Sequence, residues 1–358
     1  GTSGDGVDAS IIKTNGSDEY ESIIDKYYEY DIDIYKDIHN LKDKIHKIED
    51  LKIHKTEIDN LERKITMFHA EVIKDLNVED DTVIGFHGQT IYHNPEEKIS
   101  RQLGNGKLLN QLVKKNIVFD FRANDILNGG QGAPLAPVFH HLISLQKKII
   151  LPVCFLNIGG ISNITVITNK NNLSKLISKD IGPGNCLIDA WVRKNSNKKF
   201  DLDGLIALSG KRNEIIFEQA QELYANRNNK KKLSFDTNDF DISFLRGLSL
   251  EDGVTTLTDF TASIIVEELS LSLKFLDNKI KNILLCGGGR KNKVLVEKIK
   301  KNLSPNVNLK SIDEYNVDGD FIESQAFAFL AVRSLMKLPI SFPNTTNCKA
   351  LCTGGKII

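Results

Sequence analysis

The chain carries no surplus of charge: 47 Lys and Arg balance 47 Asp and Glu over 358 residues. That balance removes any bulk electrostatic case for nucleic acid or an anionic membrane as partner. No apolar run approaches the roughly 18 residues that a bilayer span needs, and no signal-like apolar segment opens the sequence. Cysteine is scarce and odd in number. Three of Cys154, Cys186, Cys286, Cys348 and Cys352 lie in apolar or Gly-rich surroundings, as reduced core thiols do. Cys348 and Cys352 have no second Cys/His pair to complete a zinc site. A cytoplasmic address is the expectation. Two nucleotide-binding signatures are also missing, the dinucleotide G-x-G-x-x-G and the phosphate-loop G-x-x-x-x-G-K-[ST].

What is present is a soluble, globular composition, 41% hydrophobic and 26% charged, on a chain long enough for two lobes. Strands are expected at 7–13 and 20–30, with Asn15-Gly16 as a tight turn between them. From about 34 to 76 the pattern is helical, with Leu61, Ile65, Phe68, Val72 and Leu76 on one core-facing stripe. His39, His46, His54 and His69 read as solvated histidines. Strands at 82–86 and 117–121 alternate with helices at 107–115 and 135–146. The second half restarts with strands at 153–158, 163–168 and 176–180, then strand 283–286, helix 292–303, strand 307–312 and helix 322–335. Each half therefore reads as strands first, then alternating helix and strand. A duplicated α/β unit follows, with an N-terminal lobe at 1–148, a C-terminal lobe at 149–358 and a cleft between them. The basic run at 226–232 lacks interleaved aromatics and reads as an exposed loop.

Four Gly-rich segments stand beside these strands. Gly1-Thr2-Ser3-Gly4-Asp5-Gly6-Val7-Asp8 offers backbone N–H groups and two hydroxyls to a polyphosphate, and Asp5 and Asp8 offer carboxylates to a hydrated Mg²⁺. An ordinary turn would look the same in composition. A strand is expected to lead into this loop ahead of Gly1. Gly159-Gly160 opens the second half in the same manner, so a triphosphate gripped by both hairpins is the expectation. Gly287-Gly288-Gly289 follows a buried-type strand and precedes a helix, suiting a flat adenine or a phosphate. The fourth, Asp180-Ile181-Gly182-Pro183-Gly184-Asn185, is a rigid turn whose Asp180 suits metal or phosphate. At other strand ends His87, Gln89, Arg122 and Asp125 make the inventory for a polyhydroxylated substrate and an acid–base residue. Asp120 and Arg122 equally fit a structural ion pair, and His140-His141 a structural role.

Together these loops resemble the anhydro-N-acetylmuramic acid kinase family, in family order and across nearly the whole chain. The run from Gly1 to Asp8 is similar to its ATP signature. His87-Gly88-Gln89-Thr90-Ile91 resembles a second motif, and Asp120-Phe121-Arg122 through Gly129-Gly130-Gln131-Gly132-Ala133-Pro134 a long third one. The segments at 157–163, 182–185, 287–289 and Glu323 with Ala326-Phe327-Ala328 complete the set. The resemblance implies a duplicated ribonuclease H-like, actin/hexokinase-like fold holding ATP with Mg²⁺ in a cleft between lobes, in a cytoplasmic homodimer. It implies hydrolytic opening of a 1,6-anhydro bridge and phosphorylation at O6. It assigns Asp125 as the catalytic carboxylate, His87, Gln89, Arg122, Gly130, Gln131 and Glu323 to the sugar, and Asp5 with Asp180 to the metal. Gly4 departs from the family, which usually has a larger residue there. A different anhydrosugar such as levoglucosan, or a non-catalytic sugar- or nucleotide-sensing relative, is the competing expectation.

Overall fold

The structure is a computed structural model that describes residues 4–226, 235, 240–275 and 280–358. Gly1, Thr2 and Ser3 therefore lie outside the described residues, as does most of the basic run at 226–232. The chain forms two compact units. One comprises 1–150, 169–178 and 321–358, the other 151–168 and 179–320.

In the first unit, β1 (Gly6–Thr14) and β2 (Tyr20–Glu29) pair antiparallel. Their connection is wider than the expected two-residue turn. Asn15 Oδ1 accepts from the N–H groups of Ser17, Asp18 and Glu19 at 2.9–3.1 Å, an Asx arrangement that extends the loop to Glu19. Three helices follow: α1 (Ile32–Lys42), α2 (Ile48–Ile53) and α3 (Lys55–Asp75). The apolar stripe of α3 does face a core. Leu61, Ile65 and Val72 are buried with Ile34, Ile38 and Leu41 of α1, and Phe68 and Leu76 pack against them. Removing each such side chain from water contributes about 2 kcal/mol. His69 corrects the expectation of four solvated histidines. Its Nδ1–H donates to the Ile65 carbonyl at 2.8 Å, and its ring lies 4.9 Å from that of Phe86.

Next come β3 (Val83–Phe86), an unexpected hairpin of β4 (Gln89–Asn94) and β5 (Ile99–Leu103), α4 (Gly106–Val113) and β6 (Asn116–Phe119). β6 runs parallel to β3. Two helices complete this stretch: α5 (Ala123–Leu127) and α6 (Pro137–Gln146).

The second unit opens with the antiparallel hairpin β7 (Val153–Ile158) and β8 (Ile161–Ile167), then β9 (Ile177–Pro183). The helices α7 (Cys186–Asn195), α8 (Leu205–Ser209), α9 (Glu214–Ala225) and α10 (Leu250–Phe275) lead to β10 (Asn282–Cys286). α11 (Lys293–Asn302) then crosses to β11 (Asn308–Ser311). The strands lie in the order β11-β10-β7-β8-β9, with β7, β10 and β11 mutually parallel. β7 is buried at all six positions, as a central strand covered on both faces must be. Three consecutive strands side by side, then two added in parallel beside the first, make the ribonuclease H-like sheet.

The chain then returns to the first unit with α12 (Ile322–Leu335), α13 (Pro343–Thr346) and β12 (Lys356–Ile357), which pairs with β6. α12 lies close against β3. A Cβ on Gly85 would overlap the Phe327 carbonyl, so only glycine permits that approach. Among the described residues the strands of this unit form separate pieces, β1-β2, β4-β5 and β12-β6-β3. No described helix is long and apolar enough to cross a membrane.

Three interior histidines give this unit a pH signature. Burial lowers His69 from 6.5 to about 4 and His140 to about 3, and with the Arg122 charge it holds His87 well below 6.5. Above pH 6.5 all three are neutral in both folded and unfolded chains and add no pH dependence. Below it the unfolded chain takes up protons that the folded chain refuses, so stability falls as pH drops from 6.5 towards 4. Each contributes a slope of about 1.4 kcal/mol per pH unit. Melting temperature measured across that window is expected to fall steeply, and His140→Gln to make the fall shallower. An unchanged slope in that variant would show that His140 titrates normally.

Candidate active site

In the second unit three of the Gly-rich segments meet at the carboxyl end of β7. The amides of Gly184 and Asn185 donate to the carbonyls of Gly160 and Gly159 at 2.9 and 2.8 Å, which ties the Gly182–Gly184 turn to the β7-β8 hairpin. Gly287 has φ +78, and a Cβ there would strike Asn157 Oδ1. Gly289 backs on Ile158, whereas a Cβ on Gly288 would meet nothing within 4 Å. Backbone amides thus reach an open position beyond the ends of β7 and β10, where open α/β sheets receive their ligands.

Arg290, which sequence reasoning missed, holds this corner. Its side chain is 5% exposed, and its Nε and Nη2 donate to the two oxygens of Asp313 at 2.7 and 3.0 Å. Nη1 donates to Asp320 at 2.5 Å and to the Gly287 carbonyl at 3.2 Å. Burial alone would raise the Asp313 carboxyl, but the Arg290 bonds outweigh it and hold that group far below the usual range. Asp180, on β9, is buried and accepts from the Phe235 amide at 2.8 Å.

The first unit gathers the other candidates. Gly4 is buried with φ +71, and the place of its missing Cβ lies 2.9 Å from Ile38 and 3.8 Å from Gln89, so the first loop and the Gln89 motif are neighbours. Asp5 is half-buried and Asp8 exposed. His87 and Arg122 also come together. Arg122 Nε donates to His87 Nε2 at 3.0 Å, and His87 Nδ1–H donates to the Gly88 carbonyl at 2.8 Å, which fixes a neutral tautomer. Arg122 Nη1 continues to the Gly132 carbonyl at 2.7 Å, and the Phe327 ring lies 4.3 Å from that of His87. Asp120 pairs with Lys356 at 2.5 Å. Glu323 is exposed in the first turn of α12.

Asp125, the expected catalytic carboxylate, is held between the Gly130–Gly132 turn and the C-terminal segment. It is 1% exposed. Oδ1 accepts from Ser341 Oγ at 2.5 Å and Thr346 Oγ1 at 2.6 Å, and Oδ2 accepts from the Gly132 amide at 2.6 Å. The Gly130 amide bonds the Asp125 carbonyl, and a Cβ on Gly130 would overlap the carboxylate. The Gln131 amide donates to the Thr346 carbonyl at 2.6 Å. The three bonds to the Asp125 oxygens take three of the about four lone-pair directions of a carboxylate. Asp125 in this arrangement holds a loop. Cys348 and Cys352 lie beside it, and burial followed by Cys348 raises the Cys352 thiol to about 12. No local pattern announced Ser341 or Thr346 as its partners, because they stand 216 and 221 residues away.

The sequence pattern of the anhydro-N-acetylmuramic acid kinases matches residues 1–358. The chain belongs to that family. It is similar to the anhydro-N-acetylmuramic acid kinase of Pelagibacter ubique (strain HTCC1062), 56% identical over 362 residues that cover 100% of this chain and 96% of the relative. The enzyme of that name from Agrobacterium fabrum is 35% identical over 369 residues, covering 100% of this chain and 96% of the relative. Among solved structures, a 2-hydroxyisocaproyl-CoA dehydratase activator from Clostridium difficile with bound ADPNP shares 14% identity over 65% of this chain and 73% of its own, at a TM-score of 0.35. Anhydro-N-acetylmuramic acid kinases have the actin/hexokinase-like ATPase fold, to which the sheet of the second unit conforms.

The knot around Asp125 gives a direct test. Ser341→Ala or Thr346→Val deletes one donor to a buried carboxylate, and each is expected to lower unfolding free energy by about 2 kcal/mol. Denaturant titration measures this, and a loss below a few tenths of that would show that the bonds do not hold the loop.

Proposed function

We propose that this chain is an ATP-dependent kinase that opens the 1,6-anhydro bridge of anhydro-N-acetylmuramic acid with water and phosphorylates O6. The products are N-acetylmuramic acid 6-phosphate and ADP, a recycling step for cell-wall sugar. The carrying observation is the unbroken match to the family over residues 1–358, with 56% identity to one of its named members.

In this reading water attacks the anomeric carbon, the C1–O6 bond breaks, and O6 bonds to the γ-phosphorus while ADP leaves. Phosphoryl transfer of this kind is chiefly positioning and charge neutralisation. We assign the nucleotide contacts to residues 4–8 of the first unit and to Gly159, Gly160, Gly182, Gly184 and 287–289 of the second. The neutral His87 with Arg122, and Gln89, Gly130, Gln131 and Glu323, are assigned to the sugar. Mg²⁺ takes one or two carboxylates and keeps several waters, so we assign it to the half-buried Asp5 beside Gly4 and Gly6 and to Asp180. When bound, the ion would neutralise phosphate charge.

The attacking water must give up a proton to a base within about 3 Å. We assign that role to Asp125, the catalytic carboxylate of the resemblance, whose three hydrogen bonds leave one of about four lone-pair directions for the proton. A cytoplasmic homodimer completes the proposal, for which Leu205 and Leu208, 61% and 72% exposed one turn apart on α8, supply an apolar face.

Coupled ADP release with anhydro-N-acetylmuramic acid, Mg²⁺ and ATP tests the reading, with levoglucosan as the comparison sugar. Asp125→Asn is expected to lose turnover by roughly 10²–10⁴-fold while ATP binding persists. Near-wild-type turnover in Asp125→Asn would remove it as the base, and preference for levoglucosan would change the substrate.

A further inference from the structure

We propose that Asp25 and Gln325 are positioning residues of the reaction: together they set Glu323, at the start of α12, against the hairpin whose first strand carries the nucleotide loop. This role rests on the kinase reading above, although neither residue is among those the resemblance assigns. They stand 300 residues apart in the chain, yet Gln325 Nε2 donates to both Asp25 oxygens, at 2.9 and 2.8 Å. The Tyr20 hydroxyl donates to Gln325 Oε1 at 2.6 Å, so both polar ends of a residue that is 1% exposed are satisfied. The amide can take only this orientation. Turned over, its oxygen would face the carboxylate and be repelled by it. Burial, then the Asp25 charge, raises the Tyr20 hydroxyl above its ordinary value and keeps it a donor.

A bulge in β2 makes the arrangement possible. Successive strand residues alternate faces, so Ser22 and Asp25, three apart, belong on opposite sides. The register slips between Ile11 and Ile12, which face Ile24 and Ser22, and Ile23 becomes the extra residue. That extra residue flips the alternation. Ser22 Oγ therefore reaches Asp25 Oδ2 at 2.7 Å, and Ser10, directly opposite on β1, reaches Oδ1 at 2.5 Å. Bulges commonly re-aim side chains beside functional sites, and this one turns its polar groups towards α12.

What the network holds is the first turn of α12. Gln325 is bonded to β2, and the hydroxyls of Ser324 and Ser10 lie 2.6 Å apart. Glu323 immediately precedes them and is exposed. Ser10 stands two residues after Asp8, so one strand carries both the end of the nucleotide loop and the anchor of Glu323. Fixing that backbone matters, since about 1 Å of misplacement can cost on the order of 10²-fold in rate. The loop has separate support: the Tyr30 amide donates to the Asp5 carbonyl at 3.0 Å, and the β1-β2 ladder runs on to Gly6. Loss of the network is therefore expected to move Glu323 and not the loop.

A mutant cycle on the full chain decides this, read by coupled ADP release with anhydro-N-acetylmuramic acid, Mg²⁺ and ATP. Gln325→Met keeps the length of the side chain and removes its polar end. It is expected to lower kcat/KM for the sugar about tenfold and to leave KM for ATP within about twofold. Glu323→Gln is expected to lower kcat/KM for the sugar as well, and Gln325→Met added to it to cause less than about a twofold further loss. A tie that only stabilises the fold gives losses that multiply. Multiplying losses, or wild-type constants in a folded Gln325→Met, overturn the role while the kinase reading stands. Wild-type constants in Glu323→Gln overturn it too. A wild-type chain that releases no ADP with the sugar refutes the kinase reading and this role with it. Where Gln325→Met fails to fold, Asp25→Asn enters the same cycle and must give the same outcome.

Discussion

The first unit depends on one buried carboxylate. Asp125 receives two hydroxyls from the C-terminal segment and one amide from the Gly130–Gly132 turn, so three stretches of chain meet on two oxygen atoms. A buried charge is tolerated only when its hydrogen bonds are made, and here each bond also fixes a backbone. From Gly132 the order passes onward, since its carbonyl is held by Arg122, which in turn fixes the tautomer of His87. The polar groups assigned to the sugar thus rest on a knot that lies beneath them. Glycine at 130 is part of the same device, as any side chain would collide with the carboxylate.

The second unit is organised differently. There the central strand β7 ends in Asn157-Ile158, and Gly287 and Gly289 press against those two residues. Arg290 fastens the corner to Asp313 and Asp320. Glycine appears where backbone must approach backbone, and Gly288 alone of its triplet faces open space. One unit therefore uses a buried acid to hold its loops and the other a nearly buried base. In both, the glycine segments gather at strand ends, and the chemistry proposed for the chain is assigned to amides that those charges keep in place.

Much of this was legible in the residues. The helix at 322–335 and the fully buried strand at 153–158 matched to within their ends, since length and periodicity agree there. The α3 stripe also faced its core. The β4-β5 hairpin escaped because its strands are short, polar in part and interrupted by a register shift between Thr90 and Tyr92. His69 was read as solvated because its neighbours in sequence are charged, while its neighbours in space are Tyr30 and Phe86. The partners of Asp125 were not legible, because Ser341 and Thr346 stand 216 and 221 residues away on the C-terminal segment.

Energetic coupling between Asp125 and Thr346 tests the role of the knot most directly. A double-mutant cycle of Asp125→Ala and Thr346→Val, read by denaturant unfolding, isolates their interaction. The account requires a coupling of about 1–3 kcal/mol, with the double variant scarcely less stable than Asp125→Ala alone. Simple additivity of the two losses would contradict it.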